Sequence, residues 1–156
     1  MIVRWLLAAV HLMAFGVAFA AIAGRNRALR RVIASAQAAD LPGVFKADAA
    51  WGLSALVLIA TGLARAFGGF EKGAAYYLHE PLFHLKMTAL VLILLLEVVS
   101  MLGLIRWRIA ARRQQMPDLG RARTYVRIGH WQAVLVMVIV LAASGMARGI
   151  WAAGQL

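Results

Sequence analysis

Cysteine is absent from this 156-residue chain. That excludes disulfides, thiolate-bound iron–sulfur clusters and cysteine nucleophiles. The motifs on which soluble enzymes depend are missing too, with no Walker loop, dinucleotide fingerprint, nucleophile elbow or paired metal motif. Acidic residues are scarce: six Asp and Glu stand against 17 Lys and Arg, for a formal charge of +11. A charge of that sign invites a nucleic-acid reading. The cations, however, fall in stretches between apolar runs, where they act as topology signals, so no nucleic-acid partner is expected.

What the chain has is apolar length. Hydrophobic residues make up 63% of it, and four runs, at about 2–23, 49–67, 82–105 and 128–151, are each near the roughly 20 residues that cross a bilayer as a helix. Ala21-Ile22-Ala23 could close a signal peptide, but His11 in the middle of the first run favours a span. Gly24 is expected to end that span, and Leu41-Pro42-Gly43 to break the segment that follows. Pro81 opens the third span, where its missing N–H costs least. The expected fold is all-α: one domain over residues 1–156, an integral membrane four-helix antiparallel bundle.

Orientation follows from charge. The loops at 24–48 and 106–127 hold five and seven Lys and Arg, against Lys72 alone between the second and third spans. The positive-inside rule makes both basic loops cytoplasmic and places both termini on the outer, periplasmic side of a bacterial inner membrane. Trp5 and Trp151 then mark the outer surface, and Trp51, Trp107 and Trp131 the inner one.

The few polar residues within the spans align when each is projected at about 100° per residue. Arg4 and His11 share a face of the first span. Trp51, Ser54, Leu58, Thr61 and Arg65 follow steps of three and four along the second. Lys86, Glu97 and Ser100 align on the third, and His130, Ser144 and Arg148 on the fourth. Ionisable groups inside a membrane are costly and usually face the protein interior, so one inward polar stripe per helix is expected. Depth sorts them further, with His11, Arg65, Lys86 and Arg148 in the outer half and Glu97 and His130 toward the cytoplasmic side. An outer cluster of one histidine and several cations suits an anionic cofactor.

Each residue also has a plainer reading. Arg65 and Arg148 suit helix C-termini and can snorkel to headgroups, and His11 could simply hydrogen-bond a neighbouring helix. His79, His84 and His130 read as interfacial. Glu97 is either a proton-relay carboxyl or, the favoured reading, a protonated acid bonded within the bundle. Gly145 and Gly149 permit close helix contact.

The segments Val10-His11-Leu12, WGLSALVLIATGLAR (51–65), EKGAAYYLHEPLFHLKM (71–87), LIRWR (104–108) and MARG (146–149) resemble an uncharacterised family of small bacterial four-span membrane proteins. More distantly, the early histidine, the Thr61-Gly62 pair and the His84-x-Lys86 opening look like HemJ-type protoporphyrinogen oxidases and CopD-type membrane domains. The C-terminal span departs from HemJ-type proteins by ending in MARG. The resemblance implies b-type haem, with His11 as an iron ligand and Lys86 in the same site.

The leading expectation is therefore a protein of the bacterial inner membrane that holds haem b or a related tetrapyrrole. His11 would be the axial ligand, Arg65, Lys86 and Arg148 would pair with propionates, and a quinone or membrane redox partner would exchange electrons. The alternatives are a cofactor-free small subunit or assembly factor of a larger membrane complex, and a HemJ-like porphyrinogen oxidase.

Overall fold

The computed structural model describes residues 1–68 and 79–149. Among them are four long helices: α1, Ile2–Ser35; α2, Leu41–Phe67; α3, Pro81–Arg112; and α4, Ala122–Ala147. All four are long and apolar enough to cross a membrane. Lys72 and Trp151 lie outside the described residues.

The helices outrun their apolar segments at the basic end. The helix α1 does not stop at Gly24 but continues to Ser35, so at about 1.5 Å per residue it spans some 50 Å against a hydrocarbon layer of about 30 Å. The physical reason is a change of pattern. Beyond Ala23 the apolar run gives way to an amphipathic one, with Arg25, Leu29 and Val32 buried and Arg27, Arg30 and Arg31 exposed. Gly24 serves as a contact instead: a Cβ there would sit 3.8 Å from Ala47 of α2.

The true end of α1 is Ala36, whose left-handed φ of 51° turns the chain while its N–H donates to the Val32 carbonyl. One 3-10 turn, Ala38–Asp40, leads directly into α2. Pro42 therefore lies in the first turn of a helix, where it is tolerated, and the break falls just before Leu41. Pro81 opens α3 as expected, but that helix continues past Ile105 to Arg112.

Packing is uneven around the bundle. The helix α1 lies along both α2 and α4, and α4 also packs on α3, whereas α2 and α3 meet sparsely. Two apolar clusters result. One joins Leu29, Val32, Leu41, Val44, Leu104, Trp107, Ala122, Tyr125 and Ile128 at the basic end. The other, in mid-bundle, joins Ala18, Ala21, Ile22, Trp51, Ile93 and Val136. From the first cluster to the second, residue numbers fall along α1 and α3 and rise along α2 and α4, which is the antiparallel alternation expected.

Toward the other end the filling stops on one side. No residue of α1 before Ala18 is buried, and none of α2 after Ser54.

Candidate functional site

Two polar sites follow from this register. The first lies between the two apolar clusters and takes one side chain from each helix. On α1, Arg25 falls between Ile22 and Leu29; on α2, Asp48 between Val44 and Trp51; on α3, Glu97 between Ile93 and Leu104; on α4, Gln132 between Ile128 and Val136. All four converge. Arg25 is 1% exposed, and its Nη1 donates to Asp48 Oδ1 at 3.1 Å and to Glu97 Oε1 at 3.0 Å. Its Nη2 donates to Glu97 Oε2 at 3.2 Å and to Gln132 Oε1 at 2.6 Å. Gln132 closes the ring by donating from Nε2 to Glu97 Oε2 at 2.8 Å.

A second arginine completes the charge balance. Arg108 on α3 donates from Nη2 to Asp48 Oδ2 at 2.9 Å and to the Phe45 carbonyl at 3.1 Å, bridging α2 and α3 where they otherwise touch little. Two guanidinium groups thus face two carboxylates. A self-neutralised, hydrogen-bonded cluster of this kind joins all four helices at one level. Glu97 is bonded within the bundle as expected, but to an arginine and a glutamine that both donate to it, which is the bonding of a carboxylate and not of the protonated acid expected.

Neither Arg25 nor Gln132 stands out when polar residues are sought inside apolar runs. Arg25 reads as one more loop cation, because its run ends two residues earlier. Gln132 is uncharged and sits beside the more conspicuous His130. The signal that finds both is the i, i+3, i+4 continuation of the buried face, through Ile22, Arg25 and Leu29 and through Ile128, Gln132 and Val136.

The second site is the outer one. His11 and Thr61 meet between α1 and α2, with Nδ1 2.7 Å from Oγ1. The same Thr61 hydroxyl donates to the Val57 carbonyl at 2.6 Å. A hydroxyl has one proton to give. Because it goes to Val57, Thr61 accepts from His11, and a neutral imidazole in this position carries its proton on Nδ1 and its lone pair on Nε2. Gly62 lies against the ring, where a Cβ would meet His11 Cε1 at 3.5 Å, an ordinary contact distance.

Thr61, Arg65 and Lys86 are all half-buried, as are His11 and Glu97, while Ser54 and Ser100 are buried. The stripes on α2 and α3 therefore face inward as expected. The stripe on α4 does not: His130, Ser144 and Arg148 are exposed, and the inward face runs instead through Gly129, Gln132, Val136 and Gly145. Arg148 stands at the C-cap, beyond the last packed turn. Arg4 is exposed as well, and so are His79 and His84. Among the described residues, no three His, Asp or Glu side chains gather as a metal site.

Residues 3–151 fit the model of a family described as "Predicted membrane protein (DUF2214)". Neither a curated protein nor a solved structure matches the chain.

Proposed function

The chain belongs to the DUF2214 family of predicted membrane proteins, and from that premise we propose that it holds haem b or a related tetrapyrrole between the outer halves of its helices. His11 would be an iron ligand through Nε2. The observation that carries this reading is the hydrogen-bond pattern of Thr61, which accepts from His11 Nδ1 and so orients the ring with its lone pair on the other nitrogen. Metal-binding histidines are held in this way, by a second partner on the nitrogen that does not bind the metal.

Packing supports the same reading. No side chain of α1 before Ala18 or of α2 after Ser54 is more than partly buried, which leaves apolar surface for a flat ring to cover. Arg65 and Lys86, both half-buried, are the cations assigned here to its carboxylates, pairs that strengthen where water is excluded. Arg148 is a weaker candidate, being exposed at a helix end. Bound there, haem supplies one-electron chemistry, and the protein would exchange electrons with a quinone or a redox partner in a bacterial inner membrane. The basic end would face the cytoplasm.

The test is a reduced-minus-oxidised absorption spectrum of detergent-purified protein, expressed with ample haem, beside a His11→Ala variant. A b-type Soret and α band in the wild type and its loss in the variant is the expected result. No band in either sample ends the haem proposal, and copurification with fixed membrane partners would then favour a subunit of a larger complex.

A further inference from the structure

The basic end carries a feature that neither the charge network nor the outer site uses. A groove of about 280 Å³ opens between α1 and α4, lined by Arg30, Ile33, Arg123 and Val126. Both arginines are exposed. The acids near this end are committed elsewhere: Asp40 accepts from Ser35, Asp48 from Arg25 and Arg108, Glu97 from Arg25 and Gln132, and Asp118 from the Gly120 N–H. No acidic side chain lines the groove.

Depth sets what could fill it. Arg25 and Gln132 are bonded and so share a level. At about 1.5 Å per residue, Arg30 lies roughly 7 Å and Arg123 roughly 13 Å beyond that level toward the basic end. Trp131, exposed at the level of the network, suits the membrane interface as an aromatic anchor. The groove therefore opens at headgroup depth. The helices being antiparallel, Arg30 lies level with Val126 and Ile33 with Arg123, so cations and aliphatic side chains alternate across it.

We propose that this groove binds the headgroup of an anionic phospholipid of the adjacent leaflet. Arg30 and Arg123 would donate to its phosphate oxygens, and Ile33 and Val126, at the same levels, would pack against the carbon atoms of the headgroup. Guanidinium forks match phosphate geometry. Basic pockets between transmembrane helices are a recurring form of lipid recognition. The occupant is a lipid and not a free anion because the walls are half aliphatic and open where headgroups lie.

The test uses full-length protein in mild detergent, with retained lipid measured by native mass spectrometry and thermal stability followed in parallel. The probes are phosphatidylglycerol, phosphatidylcholine and inorganic phosphate. Wild-type protein should retain phosphatidylglycerol over phosphatidylcholine by roughly thirtyfold, given the usual surface contribution of two cations. Arg30→Gln with Arg123→Gln should reduce that preference to about twofold, while Arg27→Gln with Arg31→Gln, which removes equal charge outside the groove, should keep it. Both pairs are exposed, so neither should disturb folding. Equal losses in the two double variants would overturn the proposal in favour of diffuse surface charge. Displacement of the lipid by millimolar inorganic phosphate would overturn it in favour of a free-anion site.

Discussion

Arg25 and Glu97 are 72 residues apart in sequence and joined by three hydrogen bonds of 3.0 to 3.2 Å across the bundle, from α1 to α3. These two helices are not primary packing partners, each resting mainly on its neighbours. The pair therefore ties the α1–α2 half of the bundle to the α3–α4 half. Asp48 and Gln132 serve the same guanidinium from the remaining two helices, so the arrangement of all four is read at one side chain.

Arg25→Met should be among the most damaging single changes at this level. It leaves Asp48 and Glu97 near each other, only 15% and 20% exposed, with Arg108 as the remaining neutraliser of Asp48 alone. Breaking a buried pair by removing one partner typically costs about 3–5 kcal/mol. Pairing it with Glu97→Gln should recover part of that loss, because the second carboxylate is no longer stranded. Thermal unfolding in detergent of the two singles and the double would give the coupling directly. Additive losses would mean that Arg25 and Glu97 do not depend on each other.

On the haem proposal, Thr61→Val should weaken cofactor retention without touching the iron. Valine preserves the shape of threonine but removes the acceptor for His11 Nδ1–H, so the ring loses its orientation. Loss of such an outer partner typically costs roughly 10- to 100-fold in affinity. Thr61→Ser keeps the acceptor and should retain the Soret absorbance per protein. Retention by Thr61→Val equal to that of wild type would separate the histidine from any orienting role of Thr61.

The four spans and the inward stripes of α2 and α3 were legible because the residues that carry them contrast sharply with a lipid-facing background. Trp51, Ser54, Thr61 and Arg65 recur at helical spacing in an otherwise aliphatic run, and Glu97 is conspicuous among leucines. The helical extensions at the basic end were not legible from apolar runs. There the solvent changes from lipid to water, and residues such as Leu29 and Val32 are buried on one face only, while arginines occupy the others. On α4 the conspicuous residues misled. His130 and Arg148 stand out chemically but are exposed, whereas the bundle is addressed by Gln132 and by glycines whose role is the absence of a side chain. Pairings such as Arg25 with Glu97 depend on the relative rotation of helices, which no single-helix pattern contains.

Gly103 on α3 is the sharpest case of a role set by absence. A methyl group built there would overlap the hydroxyl and ring of Tyr125 on α4. Tyr125 has little room to retreat, being 5% exposed and edge-on to Trp107 with ring centroids 5.8 Å apart. Overfilling a packed contact of this kind costs about 1–3 kcal/mol, so Gly103→Ala should lower the unfolding temperature. Gly52→Ala is the matched control: it sits in α2 with nothing within 4 Å of the added carbon, where alanine should be neutral or gain roughly 0.5–1 kcal/mol from helix propensity. Replacing Tyr125 by leucine removes the obstructing hydroxyl, so Gly103→Ala should cost distinctly less in that background. Unfolding scans of these variants decide the matter. A Gly103→Ala protein that melts no earlier than Gly52→Ala would show that α3 and α4 do not depend on the bare backbone at this crossing.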